Sequence, residues 1–219
     1  MSSEDREPAT RAERLLTIVW PTLAVLGVIG AGFALLPDQL RLGPGLFLPA
    51  GIVVLTGILT LLVVGERHRA VQRLGVAVMA VLTLAVATSA ALLVYQIPER
   101  ILPPRELLFD AGLVWALNVC VFALWYWEID CGGPRVRRIE GYRTVDFVFP
   151  QFSADDPKLG EGWLPEFVDY LFLAFNTSTA FSPTDTMALS GRVKVLMMAQ
   201  SPISLVVVAV LLARAIGTI

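Results

Sequence analysis

Five long stretches with almost no charge dominate this chain of 219 residues. They cover residues 15–36, 46–64, 74–95, 107–127 and 195–217, and the first three contain no Asp, Glu, Lys, Arg or His. A helix needs roughly 20 apolar residues to cross about 30 Å of hydrocarbon, and a lone apolar segment satisfies its backbone there only as a helix. The sequence therefore predicts an all-α, multi-pass membrane protein with five transmembrane helices.

The overall composition agrees with this class. Hydrophobic residues make up 56% of the chain and charged residues 16%, against about 25% charged in soluble domains. We find no nucleophile with a histidine partner, no phosphate-binding glycine loop and no zinc spacing among the two cysteines and one histidine. We therefore expect no enzyme, no catalytic residue, no metal site and no cofactor. The net charge of −2 gives no reason to expect a nucleic-acid partner.

The basic residues predict the orientation in the membrane. Cytoplasmic loops carry an excess of Lys and Arg. Basic residues concentrate before the first apolar stretch, between the second and third, and after the fourth, whereas the alternate loops carry few. The chain is thus predicted to begin with a cytoplasmic N-terminal tail, residues 1–14. A three-helix membrane region, residues 15–106, follows, and a second membrane unit covers residues 107–219.

One short apolar segment of the second unit is ambiguous. The segment follows a cytoplasmic loop, residues 128–162, and carries Glu166 and Asp169 near its start. It is too polar for a lipid-facing helix. If residues 163–185 dip into the membrane and return, there are five spans and 13 of the 17 basic residues are inside. If they cross, there are six spans, and the basic residues do not separate the two alternatives.

Hydroxyl groups follow this short helix. The sequence reads Thr-Ser-Thr-Ala-Phe-Ser-Pro-Thr-Asp over residues 177–185, ahead of the last helix, residues 195–217. Irregular backbone at membrane depth survives only where protein or water surrounds it. A short helix, a polar loop and a long inner helix, in that order, are typical of ion-channel pores, where loop oxygens replace the water around an ion.

Several residues in this unit keep the spacing of a known pore. Thr177, Thr179 and Asp185 hold the places of a Thr-x-Thr start and of an Asp eight residues after the first Thr. Gln200 stands where a Glu is frequent, and Ala213-Arg214 ends the last helix. On these residues the chain resembles the two-helix pore domain of the potassium-channel superfamily, from about residue 110 to the C-terminus. The resemblance implies a re-entrant pore helix and filter loop.

The filter itself departs from that family. Ser182, Pro183 and Thr184 occupy the positions of Gly-Tyr-Gly. Glycine lets successive carbonyls point inward, whereas proline fixes φ near −65° and lacks an N–H. Potassium selectivity of the usual kind is therefore not expected. The region is also similar to an uncharacterised bacterial family of small integral membrane proteins, through a Phe-Ser-x-x-Asp-like turn and an Asp-Phe-x-Phe-Pro element at residues 146–150. This resemblance implies a multi-pass protein of a bacterial plasma membrane.

The two arguments disagree about the side of the membrane. Channels of the superfamily place the pore loop outside, whereas the charge distribution places residues 163–194 on the cytoplasmic side. We favour the charge distribution, because it draws on several separate loops.

The candidate site residues each allow a second interpretation. Asp185 could form a carboxylate ring at a pore mouth or cap the next helix. The hydroxyls of Thr177, Ser178 and Thr179 could line a water path or bond back to helix carbonyls. Gln200 could lie on the conduction path or form hydrogen bonds between helices. Pro202 could produce a kink that acts as a gate, or it could have no role in gating.

The sequence thus predicts a pore-loop, ion-channel-like protein. The expected pore lining is Thr177, Ser178, Thr179, Ser182, Pro183, Thr184 and Asp185, with Gln200 and Pro202 on the inner helix. Its partners would be the lipid bilayer and monovalent cations, and a single chain offers one pore loop, so a homo-oligomer such as a tetramer is expected. The alternatives are a non-conducting membrane subunit or scaffold, and a small transporter.

Overall fold

The computed structural model describes residues 11–41, 50–57, 68–99, 104–143, 145–153, 160–179 and 185–216. This part of the chain is mainly helical, as predicted. Its helices are α1 (Arg11–Leu35), α2 (residues 50–57), α3 (His68–Glu99), α4 (Pro104–Ile129), α5 (Pro134–Glu140), α6 (Pro150–Ser153), α7 (Phe167–Thr179) and α8 (Gly191–Ile216).

Three helices of the described residues are long and apolar enough to cross a membrane. They lie within α3, α4 and α8, and α1 adds a shorter apolar stretch, Trp20–Leu35. The predicted second span, residues 46–64, is described only at residues 50–57. The last helix begins at Gly191 rather than at residue 195, because the hydroxyl of Ser190 accepts the N–H of Val193 at 3.4 Å and caps the helix there.

Helix α4 lies at the centre of the bundle. It contacts α1, α3, α7 and α8. Its residues Val114, Leu117 and Val121 are buried in a core of aliphatic side chains shared with α1, α3 and α8. The outward faces of the same helices remain apolar, for example at Leu84 and Leu205. Such faces suit contact with lipid, because lipid tails are as apolar as these side chains.

The chain reverses sharply after α4. A 3₁₀ turn over Asp130–Gly132 places Cys131 at φ 52°, and Gly133 follows at φ 98°. A Cβ on Gly133 would lie 3.1 Å from the carbonyl oxygen of Glu128, so glycine suits both the backbone angle and the space. The turn lets α5 begin at Pro134 beside the end of α4.

A small antiparallel sheet joins two distant parts of the chain. Strand β1 (Phe147–Val148) pairs with β2 (Met187–Ala188), with Phe147 opposite Ala188. The N–H of Leu189 also donates to the carbonyl oxygen of Asp146 at 2.8 Å. Much of the predicted loop 128–162 is therefore folded, and it is hydrogen-bonded to the residues that precede α8.

Candidate functional site

Helix α7 lies antiparallel to α4. At its start, Phe167 and Tyr170 pack against the ring of Trp127, with ring centroids 5.8 and 5.5 Å apart. Near its end, Phe175 packs against Trp115 at 5.5 Å. Trp115 and Trp127 are twelve residues apart on α4, which is about 18 Å along a helix axis. Helix α7 therefore extends from the end of α4 to its middle.

A buried hydrogen-bond network centres on Gln200. Its Nε2 donates to the carbonyl oxygen of Ala174 at 2.8 Å and to the hydroxyl of Ser178 at 2.7 Å. Its Oε1 accepts the hydroxyl of Tyr126 at 2.5 Å. Gln200 and Tyr126 are fully buried. The side chain thus joins α7 to α4 and α8, as the helix-bridging interpretation predicted.

The network continues along α8 through Asn118. Its Nδ2 donates to the hydroxyl of Ser204 at 3.0 Å and to the main-chain oxygen of Gln200 at 3.3 Å. The Oδ1 atom of the same amide is buried and has no hydrogen-bond partner. Apart from this oxygen, the polar side-chain atoms of the network are hydrogen-bonded to one another or to the main chain.

The two candidate threonines bond within their own helix. The hydroxyl of Thr177 donates to the carbonyl oxygen of Leu173 at 2.8 Å, and that of Thr179 to the carbonyl oxygen of Asn176 at 3.2 Å. Both side chains are half-buried. In this single chain their hydroxyls follow the helix-bonded alternative.

The remaining candidates are spread along the chain. Asp185 is exposed and precedes β2, so it does not cap α8 as one interpretation predicted. Pro202 lies within α8 and is exposed. The predicted residues Ser182, Pro183 and Thr184 lie outside the described residues. No group of three or more His, Cys, Asp or Glu among residues 11–41, 50–57, 68–99, 104–143, 145–153, 160–179 and 185–216 could hold a metal ion.

A second polar cluster, which we call the clasp, fastens the start of α8 to the end of α4. Its centre is Asp146, whose carboxylate is fully buried. The carboxylate accepts hydrogen bonds from the guanidinium of Arg192, with Nε at 2.7 Å, from the hydroxyl of Ser190 at 2.6 Å and from the N–H of Cys131 at 3.1 Å. Arg192 also donates to the carbonyl oxygen of Ile129 at 3.2 Å.

The clasp perturbs the acidity of Asp146. Burial by itself raises the pKa of a carboxyl group, because it disfavours the charged form. The hydrogen bonds from Arg192, Ser190 and Cys131 outweigh burial and hold the pKa of Asp146 below its usual range. The carboxylate of Asp146 is therefore ionised at neutral pH.

A buried arginine lies beside the clasp. Arg137 is 2% exposed, and its guanidinium carbon lies 4.5 Å from the ring centroid of Trp127 and 5.0 Å from that of Tyr170. Its Nη1 donates to the carbonyl oxygens of Trp127 at 2.8 Å and of Asp130 at 2.6 Å. The two rings stabilise the cation, and the carbonyls complete the turn after α4.

The carboxylate of Asp130 is hydrogen-bonded by Tyr170, and the charge of Arg137 also stabilises it. The hydroxyl of Tyr170 donates to its Oδ2 at 2.5 Å, while Oδ1 is buried without a partner. Nearby, the hydroxyl of Tyr142 donates to the carbonyl oxygen of Phe147 at 2.8 Å, and burial raises the pKa of that phenol. Buried polar groups therefore lie among the aromatic side chains at the end of α4.

The buried contacts of the clasp and of Arg137 were not predicted from the sequence. The arginine run after α4 served as an orientation signal, and Asp146 as part of a resemblance. One pattern that could have pointed to them is the local density of aromatic residues, since Trp127, Phe147 and Phe149 flank these charges in sequence.

The described part of the chain thus has the features of an α-helical membrane protein, because it is mainly helical and three of its helices are long and apolar enough to span a membrane. Comparison with known proteins gives no family model, no curated protein and no solved structure that matches this chain.

Proposed function

We propose that residues 163–185 form a re-entrant segment, which enters the membrane as α7 and returns to the same face before α8. Contacts at both ends of the segment support this proposal. Its start lies against Trp127 near the end of α4, and its return is fastened to the end of α4 by Arg192 and Asp146. Its middle reaches Trp115, far along α4.

The length of α7 also supports re-entry. Its 13 residues span about 20 Å, which is shorter than the roughly 30 Å of hydrocarbon. Asp185 lies six positions after Thr179, and an extended chain of that length spans about 20 Å. This is enough to return to the level of β2. The contacts favour five spans over the six-span alternative.

The proposed activity is that of a poorly selective cation channel formed by several copies of the chain. A helix end that stops inside the membrane directs its free carbonyl groups and partial negative charge there, and this favours cations. The C-terminal turn of α7 holds the hydroxyls of Thr177, Ser178 and Thr179. Helix α8 offers an exposed apolar face for neighbouring copies, including Val195, Met198 and Leu205.

One observation favours a second candidate, a non-conducting membrane subunit or scaffold. Ser178 and Gln200 are buried and bonded to each other, and Thr177 and Thr179 bond to their own helix. In that case α7 is a packed structural element, and the residues assigned to the pore lining only hold the helices together.

The re-entrant geometry is tested by labelling single cysteines in sealed vesicles with a membrane-impermeant reagent. We expect Asp185→Cys and Glu140→Cys to react from the same side. Glu106→Cys, at the other end of α4, serves as the control and should react from the opposite side. Reaction of Asp185→Cys from the side of Glu106→Cys would show that α7 and its loop cross the membrane.

Conduction is tested in liposomes that contain the purified chain. We expect flux of both potassium and sodium, and Asp185→Asn should lower it several-fold at low ionic strength, since a carboxylate ring concentrates cations. Glu140→Gln removes an exposed carboxylate away from the loop and should leave the flux unchanged. If the liposomes pass no ions under any gradient or voltage, the channel proposal is refuted and the scaffold function is favoured.

A further inference from the structure

A cavity of about 480 Å³ lies where α4 ends, between α5 and the residues that lead into α7. Trp127 and the start of α7 place it at the level where aromatic residues meet lipid headgroups. The side chains that matter for its chemistry are Trp127, Arg137, Arg138, Trp163, Glu166 and Asp169.

Two of these side chains carry buried donors without acceptors. Nη2 of Arg137 and Nε1 of Trp127 are buried and have no hydrogen-bond partner. Arg137 is 2% exposed and Trp127 is 4% exposed. In the described part of the chain, no carboxylate oxygen forms an ion pair with Arg137 within 4 Å. The buried carboxylate of Asp130 attracts the Arg137 cation but does not bond to Nη2. A buried donor without an acceptor costs free energy, so this wall of the cavity favours a group with acceptor oxygens, such as a phosphate.

The opposite side of the cavity is acidic. Glu166 is exposed, and Asp169 is fixed beside it because its Oδ2 accepts the N–H of Glu166 at 2.7 Å. A simple anion would be attracted by Arg137 and repelled by these two carboxylates. A ligand with a phosphate at one end and an ammonium group at the other satisfies both walls.

We propose that this cavity binds the zwitterionic headgroup of an aminophospholipid such as phosphatidylethanolamine. Arg137 and Trp127 hold the phosphate, with exposed Arg138 at the mouth, and Glu166 and Asp169 hold the ammonium group. Charge-assisted hydrogen bonds of this kind are the strong ones in proteins. The site is independent of conduction and would exist in a scaffold as well as in a channel.

The proposal is tested by native mass spectrometry of the full-length chain, stripped of lipid in detergent and titrated with phosphatidylethanolamine. Trp127→Phe removes one donor and keeps a ring over Arg137. We expect it to weaken binding about tenfold, as for one hydrogen bond to a charged group. Trp125→Phe is the matched control, because the indole N–H of Trp125 donates to Thr83 at 2.9 Å outside the cavity, and it should bind as the wild type does.

Two further comparisons identify the ligand. Phosphatidylglycerol, which lacks the amine, should bind more weakly to the wild type, and Glu166→Gln should reduce this preference several-fold. Equal affinity of the wild type and Trp127→Phe, or no preference between the two lipids, would overturn the proposal. Soluble phosphoethanolamine that binds as tightly as the lipid would overturn the assignment to a membrane lipid.

Discussion

Replacement of Asp146 by asparagine tests the clasp that fixes the start of α8. The native carboxylate is fully buried and accepts bonds from Arg192, Ser190 and Cys131. Asparagine has nearly the same shape, but it has no charge and offers a single oxygen acceptor. Asp146→Asn therefore removes the charge-assisted part of the cluster and leaves the packing in place.

The magnitude follows from the exposure of the partners. Hydrogen bonds to charged groups contribute about 1.5 to 3 kcal/mol each, and breaking a buried ion pair costs about 3 to 5 kcal/mol. The side chain of Arg192 is 55% exposed, so water replaces some of the hydrogen bonds that Arg192 loses in the variant. We therefore expect the free energy of unfolding to fall by about 2 to 3 kcal/mol.

The assay is reversible unfolding in mixed detergent micelles, followed by tryptophan fluorescence. Glu140→Gln is the matched control, because it makes the same chemical change in the exposed ion pair of Glu140 with Arg143, whose side chains are 58% and 63% exposed. Such a pair contributes about 0.5 kcal/mol or less. The reasoning is refuted if Asp146→Asn and Glu140→Gln have equal stability at neutral pH.

The effect should also depend on pH. The pKa of Asp146 is lower in the folded chain than in the unfolded one, so its contribution is complete above about pH 4 to 5. It is lost as pH falls through the lowered pKa. The stability difference between the wild type and Asp146→Asn should therefore shrink in acid, and a difference that is constant down to pH 2 would contradict this account.

Two other substitutions test the buried networks by the same unfolding measurement. Gln200→Leu should lower the free energy of unfolding by about 1 to 2 kcal/mol, as hydrogen bonds within membranes are individually modest, while the exposed Ser201→Ala should have no effect. Tyr170→Phe should cost about 2 kcal/mol, because it removes the bond to the buried carboxylate of Asp130. The exposed Tyr95→Phe is the control and should have no effect.

Much of the helical framework could be predicted from the sequence. The long apolar runs correspond to α1, α3, α4 and α8 because an apolar segment of that length has to satisfy its backbone internally. Helix ends were less accurate. The start of α8 depends on the bond of Ser190 to Asp146 and on the pairing of β2 with β1, and these are contacts between parts of the chain about 40 residues apart.

The site was predicted only in part. Ser178 and Gln200 were both singled out in the sequence as candidates for the pore, but their direct bond depends on how α7 lies against α8. The buried position of Arg137 could not be predicted from the sequence. In the sequence it is one of several arginines after a span, and Arg138 next to it is indeed exposed. The turn at Cys131 and Gly133 directs Arg137 inward between two aromatic rings.

The sequence by itself determined that the chain forms helices long and apolar enough to span a membrane, because hydrophobicity and length act locally. Tertiary structure decided where α7 lies, which charges are buried and which buried donors have no partner. These properties arise from pairs such as Arg192 with Asp146, whose members are distant in the chain and meet only when the helices pack.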